Sequence, residues 1–345
     1  LENYLLESGK VTGIKGIEPP LRLALIPYLS GYIDYSKENG ASTSYNGGMD
    51  IKYGINEAFT LDVTLVPDFG QVVFDRQVLN LSPFEIQFNE NRQFFTEGTE
   101  LFNKSGLFYS RRIGVQAPPG VLNNNLEEDE VLINTMNVPR LYNASKVSGR
   151  LKNGLGIGVF NGITAAQFGQ ALNIIDSTER EVMISPLSNF NVIVLDQNLK
   201  NNSYVTLTNT NVLRSGSFYD ANVTGLNLKL NSKSNDYFIE AQGAMSAIMN
   251  SGETSLGHTW GVETGKQRGA FAFSGEYYEE SDTYSPNDLG FLRANNSRVF
   301  GLNVAYRDFS PSFWKLNKFI TNASISLERL YAPNLYGGTF WNLRS

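Results

Sequence analysis

The chain contains no cysteine and only one histidine, His258. The first absence removes disulfides, thiol nucleophiles and Cys-ligated zinc. The second leaves a His-based metal cluster or a Ser-His-Asp triad with almost nothing to draw on. No apolar run reaches the roughly eighteen residues of a transmembrane helix. Charge is scarce: 18% of residues are charged, against about a quarter in an ordinary soluble domain. The net charge of −6 gives nucleic acid or anionic lipid no basic surface to bind. Leu1 to Gly16 lacks a basic stretch followed by an apolar one, so no secretory signal opens the sequence. The expectation is a mature chain, or part of a longer one.

What is present points one way. Aromatic residues are plentiful, with 22 Phe, 17 Tyr and 3 Trp, while mean hydropathy is −0.24. Low charge, many aromatics and no spanning helix leave the β-barrel as the only membrane option. The length of 345 residues fits two domains or one large barrel.

Alternation organises most of the chain. In residues 49–55, Met49, Ile51, Tyr53 and Ile55 share one face while Asp50, Lys52 and Gly54 share the other. After the turn Asn56-Glu57-Ala58, Phe59, Leu61, Val63 and Leu65 oppose Thr60, Asp62 and Thr64. The same period recurs at 223–231, 300–307 and 322–328, with further strands expected near 21–35, 106–113, 145–152, 155–164, 189–198, 202–213, 236–247, 256–265 and 269–279. Two architectures fit. A soluble sandwich or propeller would bury the apolar faces, whereas a transmembrane barrel would turn them to lipid and line a wet lumen with the polar ones. Strands of about 9–11 residues suit a tilted membrane crossing better than soluble sheets, whose strands average about 5–6. Lys52 or Lys229 turned to lipid at mid-depth would cost about 2–4 kcal/mol, which fixes the register with charges inward.

Asn153-Gly154 carries the two-residue hairpin signature, while 36–47, 117–130 and 280–290 read as long polar loops. Residues 114–144 leave room for one further strand. Residues 1–20 read as a tether and 21–345 as the barrel, with the closing stretch GGTFWNLRS a turn and a strand that stops early.

Three blocks resemble a known family. NGGMDIKYGINEAFTLDVTLVPDFGQVVFD, LNLSPFEIQFNENRQFFTEGTELF and GLFYSRRIG look like the core signature of a family of Gram-negative outer-membrane β-barrel proteins of unknown function. LDQNLKNNSYVTLTNTNVLR with YDANVTG (195–225) and SDTYSPNDLGFL (281–292) agree with it. The resemblance implies an outer-membrane location and a carbohydrate-binding module of the family-nine type before the barrel. It also brings the label hydrolase, carried by some members without an established catalytic residue. This chain lacks that module, which suggests a partial or processed chain. It departs from the family pattern at Asn91, where a lysine is usual, and at Gln93, where a proline is.

One segment does not alternate. Residues 68–105 leave one strand and return to another, and FEIQFNENRQFFTEG (84–98) within them is both aromatic and charged. That is long for a structureless loop. Folded into a wide barrel, it would be anchored by Phe84, Phe88, Phe94 and Phe95. Glu85, Glu90, Arg92, Glu97 and Glu100 would need partners, with Arg111 and Arg112 the nearest cations in sequence. Such a segment is either a gate that selects solutes or a plug that stiffens the barrel. Glu85, Glu90, Glu97, Glu100, Asp68 and Asp75 are also the candidates for paired-carboxylate glycoside hydrolysis. Residues 126–130 (LEEDE) and 282–290 hold carboxylates suited to calcium but lack the spacing of a calcium loop. They read as solvated loops, with Asp282, Pro286, Asn287 and Asp288 in an Asx-type turn. His258, beside Trp260, reads as an interface or lumen residue. Trp260, Trp314, Trp341, Tyr277, Tyr278, Tyr331 and Tyr336 suit the aromatic girdles of a membrane barrel.

The expectation is therefore an antiparallel transmembrane barrel of about fourteen to sixteen strands with an inward-folded, plug-like segment. No catalytic residue, metal or cofactor is assigned. Its function is that of a channel or accessory barrel linked to glycan handling by the family resemblance. The alternatives are a membrane-embedded carbohydrate hydrolase and a structural subunit of an outer-membrane complex. The partners expected are the outer-membrane bilayer, other outer-membrane or periplasmic proteins, and glycans.

Overall fold

The alternating stretches pair into one antiparallel sheet. A computed structural model describes residues 21–36, 40–67, 81–82, 84–114, 126–134, 141–309 and 318–344. The expected tether (1–20), Asp68, Asp75 and Trp314 lie outside the described residues. In chain order the strands are β1 (Leu23–Ser36), β2 (Gly40–Gly54), β3 (Phe59–Leu65), β4 (Glu130–Asn134), β5 (Leu141–Arg150), β6 (Leu155–Thr164), β7 (Gln167–Asn173), β8 (Glu179–Ser185) and β9 (Ser188–Asn198). There follow β10 (Tyr204–Arg214), β11 (Asp220–Asn231), β12 (Tyr237–Asn250), β13 (Glu253–Lys266), β14 (Phe271–Glu280), β15 (Ser297–Asp308), β16 (Phe319–Arg329) and β17 (Tyr336–Arg344). Fourteen of them form the main sheet in the order β1-β2-β3-β5-β6-β9-β10-β11-β12-β13-β14-β15-β16-β17, and β4, β7 and β8 form a separate three-stranded sheet. With those three set aside, the main sheet is a plain up-and-down meander. β1 and β17 are its two edges, and Pro27 sits in β1, an edge strand, where a missing N–H is tolerated.

Three sequence expectations are corrected. Residues 106–113 are not a strand: they hold a short turn of 3-10 helix at Ser110–Arg112, with Leu107, Ser110 and Ile113 buried by tertiary packing. Residues 40–47, expected in a loop, are the first half of β2, where Thr43 and Tyr45, residue types that favour strands, pair with Ile33 and Gly31 of β1. Residues 280–290 are not a solvated loop, since Tyr284, Asp288 and Leu289 are buried. The loop is held differently from the expected Asx-type turn: Asn287 accepts the Leu292 N–H at 2.6 Å and its amide donates to the Leu292 carbonyl at 3.0 Å, five residues on.

Burial along the sheet is inverted relative to a soluble protein. On β10, Thr206 and Thr208 are 0% exposed while Leu207 between them is 42% exposed. On β9, Val192, Val194 and Asp196 are buried and Ile193 and Leu195 are exposed. Leu226, Val262, Phe273, Phe300, Leu302 and Ile325 continue the bare apolar face across β11 to β16. Leaving such a surface in water forfeits about 25 cal/mol per Å², and a monomeric soluble protein rarely exposes contiguous apolar patches beyond about 300–600 Å². In hydrocarbon the same face is at home. An eleven-residue strand such as β9 is about 36 Å long at ~3.3 Å per residue, or about 28 Å across the bilayer at a tilt of ~40°.

The connections β2–β3, β5–β6, β9–β10, β11–β12 and β13–β14, all short, fall at one rim, while the short β10–β11 and β12–β13 turns share the opposite one. At that second rim lie also the long insertions between β3 and β5, β6 and β9, and β14 and β15. The insertions at the second rim carry the small sheet and the segment packed on the covered face.

Candidate functional site

The covered face of the sheet is occupied by residues 84–114 and by the loop 281–296 between β14 and β15. The FEIQFNENRQFFTEG stretch holds a one-turn helix, α1 (Gln93–Thr96), just after Arg92. Arg92, 7% exposed, organises it. Its guanidinium donates to Glu90 at 2.9 and 2.7 Å, to the Ile113 carbonyl at 2.8 Å and to the Ser110 carbonyl at 2.7 Å, and it lies 4.3 Å from the centre of the Phe95 ring. Glu90 also accepts from the Ser110 hydroxyl at 2.6 Å and from its own backbone neighbours, Asn91 and Arg92. Burial pushes the Glu90 carboxyl up, but Arg92 and Ser110 together more than offset it and leave it below the usual carboxylate range. The knot ties 84–98 to 110–113.

Ion pairs and aromatic packing join this segment to the wall. Lys146 of β5, 3% exposed, donates its ammonium to the Phe94 and Glu97 carbonyls and sits 4.5 Å from the centre of the Phe94 ring. Lys52 of β2 meets Glu97 at 2.6 Å, and Arg150 lies 3.7 Å from Glu100. Lys52 and Gln93 hydrogen bonds hold the Glu97 carboxyl below its ordinary range. Lys104 and Arg150 converge on Asp196 of β9, which is fully buried, at 2.8 and 2.5 Å, and Thr206 donates to it at 2.6 Å. Phe94, Phe95 and Phe108 ring Phe160 of β6 at 5.4–6.5 Å. Two glycines of β6 admit this approach: a Cβ on Gly156 would lie 2.8 Å from Leu101, and one on Gly158 would lie 3.1 Å from Phe102.

The 281–296 loop closes over the segment from the long-insertion rim. The Tyr109 N–H donates to the Leu289 carbonyl at 2.6 Å, and Arg112 donates to the Gly290 carbonyl at 3.0 Å while gripping Glu85 at 2.7 and 2.8 Å. Arg214 and Asp288, both buried, pair at 2.5 Å and pin the loop to the end of β10.

The structure thus brings together most of the residues singled out from sequence. Phe94, Phe95, Glu90, Arg92, Glu97, Glu100 and Arg112 contact the wall, the loop or each other as described. Arg111 donates to the Asn89 carbonyl at 3.0 Å and lies 3.8 Å from Glu90. Phe88 meets Tyr109 through its backbone N–H and carbonyl, and Phe84 is exposed. Of the girdle candidates, Trp260, Tyr336 and Trp341 are exposed, whereas Tyr278 belongs to the covered face, with its hydroxyl on Glu280. His258 faces Glu279 at 3.4 Å on the bare side.

Sequence reasoning missed the wall's partners, Lys146, Arg150 and Asp196. It also missed a row in which Glu240, Glu263 and Glu276 stand directly opposite one another on β12, β13 and β14. The signal for that row was the two short turns, which fix hairpin register once their lengths are read. Like charges facing across strands oppose one another; Lys229 of β11 pairs with Glu240 and relieves that end of the row.

An up-and-down antiparallel sheet with a bare apolar face and buried charges on its covered face defines a class, the transmembrane β-barrel. Within that class the chain belongs to the family described as domain of unknown function DUF5916, which matches residues 19–345. No curated protein matches the chain. Among solved structures, the outer membrane protein OpdK from Pseudomonas aeruginosa is similar at 12% identity and TM-score 0.38, over 95% of this chain and 78% of that one. OpdQ from the same organism is similar at 10% identity and TM-score 0.38, over 97% and 77%. A BenF-like porin from Pseudomonas fluorescens Pf-5 is similar at 12% identity and TM-score 0.35, over 93% and 85%. Overlaps this loose say nothing of a solute or a partner.

Proposed function

We propose that the protein is a non-enzymatic β-barrel channel of the outer membrane, its bore narrowed by residues 84–114 together with the 281–296 loop. The observation that carries this reading is the inverted burial: Thr206, Thr208, Asp196 and Lys146 are covered, while Leu195, Leu207, Leu226, Phe273 and Phe300 are bare. A sheet of that kind encloses a polar interior, and what fills the interior sets what crosses it. Glu85, Glu90, Glu97 and Glu100 are each engaged by a cation, which favours a structural and gating role over an acid–base pair. Glycan-derived solutes, and partners among outer-membrane or periplasmic proteins, enter the proposal through the family resemblance alone. Purified protein in planar bilayers is expected to conduct, and removal of residues 84–98 to enlarge the single-channel conductance. A current unchanged by that deletion would reject the gate.

A further inference from the structure

Five acidic residues are buried among the described residues: Asp62, Asp196, Glu279, Glu280 and Asp288. Four of them have a cation nearby, namely Lys146 for Asp62 at 3.9 Å, Lys104 and Arg150 for Asp196, Arg298 for Glu279 at 2.6 Å, and Arg214 for Asp288. Glu280, 4% exposed, has none among the described residues; it accepts only the Tyr278 hydroxyl at 2.5 Å and the Ser297 hydroxyl at 3.5 Å. Taking a carboxylate out of water without a counter-charge costs several kcal/mol, and two hydroxyl donors do not replace a cation.

Glu280 also lines a cavity. It lies between the wall, the 84–114 segment and the 281–296 loop, with a volume of about 140 Å³. Asn227 and Gln242 add amide carbonyls, the Tyr278 hydroxyl adds another oxygen, and Leu107 and Phe291 supply an apolar side. A cavity of about 150 Å³ holds a ring of roughly six carbon atoms, so the space fits a solute of about four to six non-hydrogen atoms. No group of three or more metal-ligating residues occurs among the described residues. One carboxylate amid neutral oxygens and an aromatic face suits a primary ammonium, which donates three hydrogen bonds and is attracted to a ring.

We propose that this cavity binds a small ammonium-bearing solute, with Glu280 as its counter-ion and Asn227, Gln242 and Tyr278 as acceptors for the remaining N–H groups. The adjoining cavity of about 280 Å³ shares Asn227, Gln242 and Tyr278 with it and is lined by Glu240, Glu263 and Glu276. Lys104 lines it too, bound to Asp196, and Lys229 pairs with Glu240, which leaves Glu263 and Glu276 to draw cations to the approach. The proposal rests on the channel reading only in placing the cavity on a solute's route.

Calorimetric titration of the full chain in detergent with ethanolammonium chloride tests it, against ethylene glycol as the uncharged analogue and sodium chloride at equal ionic strength. Ethanolammonium is expected to bind and the two controls not to. Glu280→Gln, which keeps the shape, is expected to weaken binding by about tenfold or more. Ala244→Leu, which fills the cavity and leaves the carboxylate in place, is expected to abolish it. The proposal is overturned if the wild-type protein binds no ethanolammonium, if ethylene glycol binds as well, or if either variant binds as the wild type does. Bilayer currents separate the two readings: a conducting protein that binds no ethanolammonium loses only the site. A silent protein that binds it through Glu280 loses only the channel.

Discussion

Replacing Arg92 with methionine would test whether the knot holds the segment to the sheet. Methionine keeps an apolar stem against Phe95 but removes both bonds to Glu90 and both donors to the Ser110 and Ile113 carbonyls. Breaking a buried pair from one side costs about 3–5 kcal/mol, because the other charge stays behind without compensation. Most of that falls on the docked segment rather than on the barrel, whose fourteen-stranded ladder is untouched. Local opening of residues 84–114 should therefore rise by roughly 140- to 3,700-fold at ~1.4 kcal/mol per factor of ten. Amide hydrogen exchange read by mass spectrometry in micelles measures it directly, with β6 peptides as the internal reference. Arg111→Gln is the control: Arg111 is 3.8 Å from Glu90 at the edge of the knot and should shift exchange by less than about tenfold. Equal protection in Arg92→Met and wild type would refute the assignment of Arg92 as the organising residue.

Three further outcomes follow from the same geometry. Because the folded Glu90 carboxyl lies below the usual range, its contribution is complete above the ordinary carboxylate range and is lost as pH falls through the lower folded value; exchange in residues 84–114 should accelerate on acidification, and Glu90→Gln should flatten that dependence. Leu226→Arg, on the bare face, should destabilise the barrel in lipid by about 2–4 kcal/mol if at mid-depth, whereas Asn227→Arg, one residue on and facing inward, should change conductance with little change in urea midpoint. Arg214→Met strands buried Asp288, so the 281–296 loop should lose exchange protection while β10 keeps its own.

The architecture was largely legible because alternation is a local property. β6 runs from Leu155 to Thr164 as its pattern predicted, and β9 to β16 follow theirs within a few residues. Errors arose where tertiary contacts replace pattern. Leu107, Phe108 and Ile113 give 106–113 an apolar content like a strand's, yet their burial comes from the segment and loop around them. Of the small sheet β4-β7-β8, only room for β4 within 114–144 was foreseen; β7 and β8 escaped notice because they lie outside the meander that gave the others their rhythm. The 84–98 stretch announced itself by composition, but Lys146, Arg150 and Asp196 are far from it in sequence, and no spacing rule links residues that only the sheet brings together. Glu280 was invisible for a further reason: what marks it is burial with no cation beside it among the described residues, and that exists only in three dimensions.

The central claim is that the bare apolar face meets hydrocarbon and the covered face does not. The absence of cysteine makes single-cysteine spin labelling clean. Labels at Leu207→Cys, Leu226→Cys and Phe273→Cys should collide with dissolved oxygen, which partitions into lipid. Labels at Asn227→Cys and Ser274→Cys should instead collide with a water-soluble nickel chelate, so that accessibility alternates with a period of two along β11 and β14. Chelate access on the aliphatic side, with oxygen access on the polar side, would contradict the account.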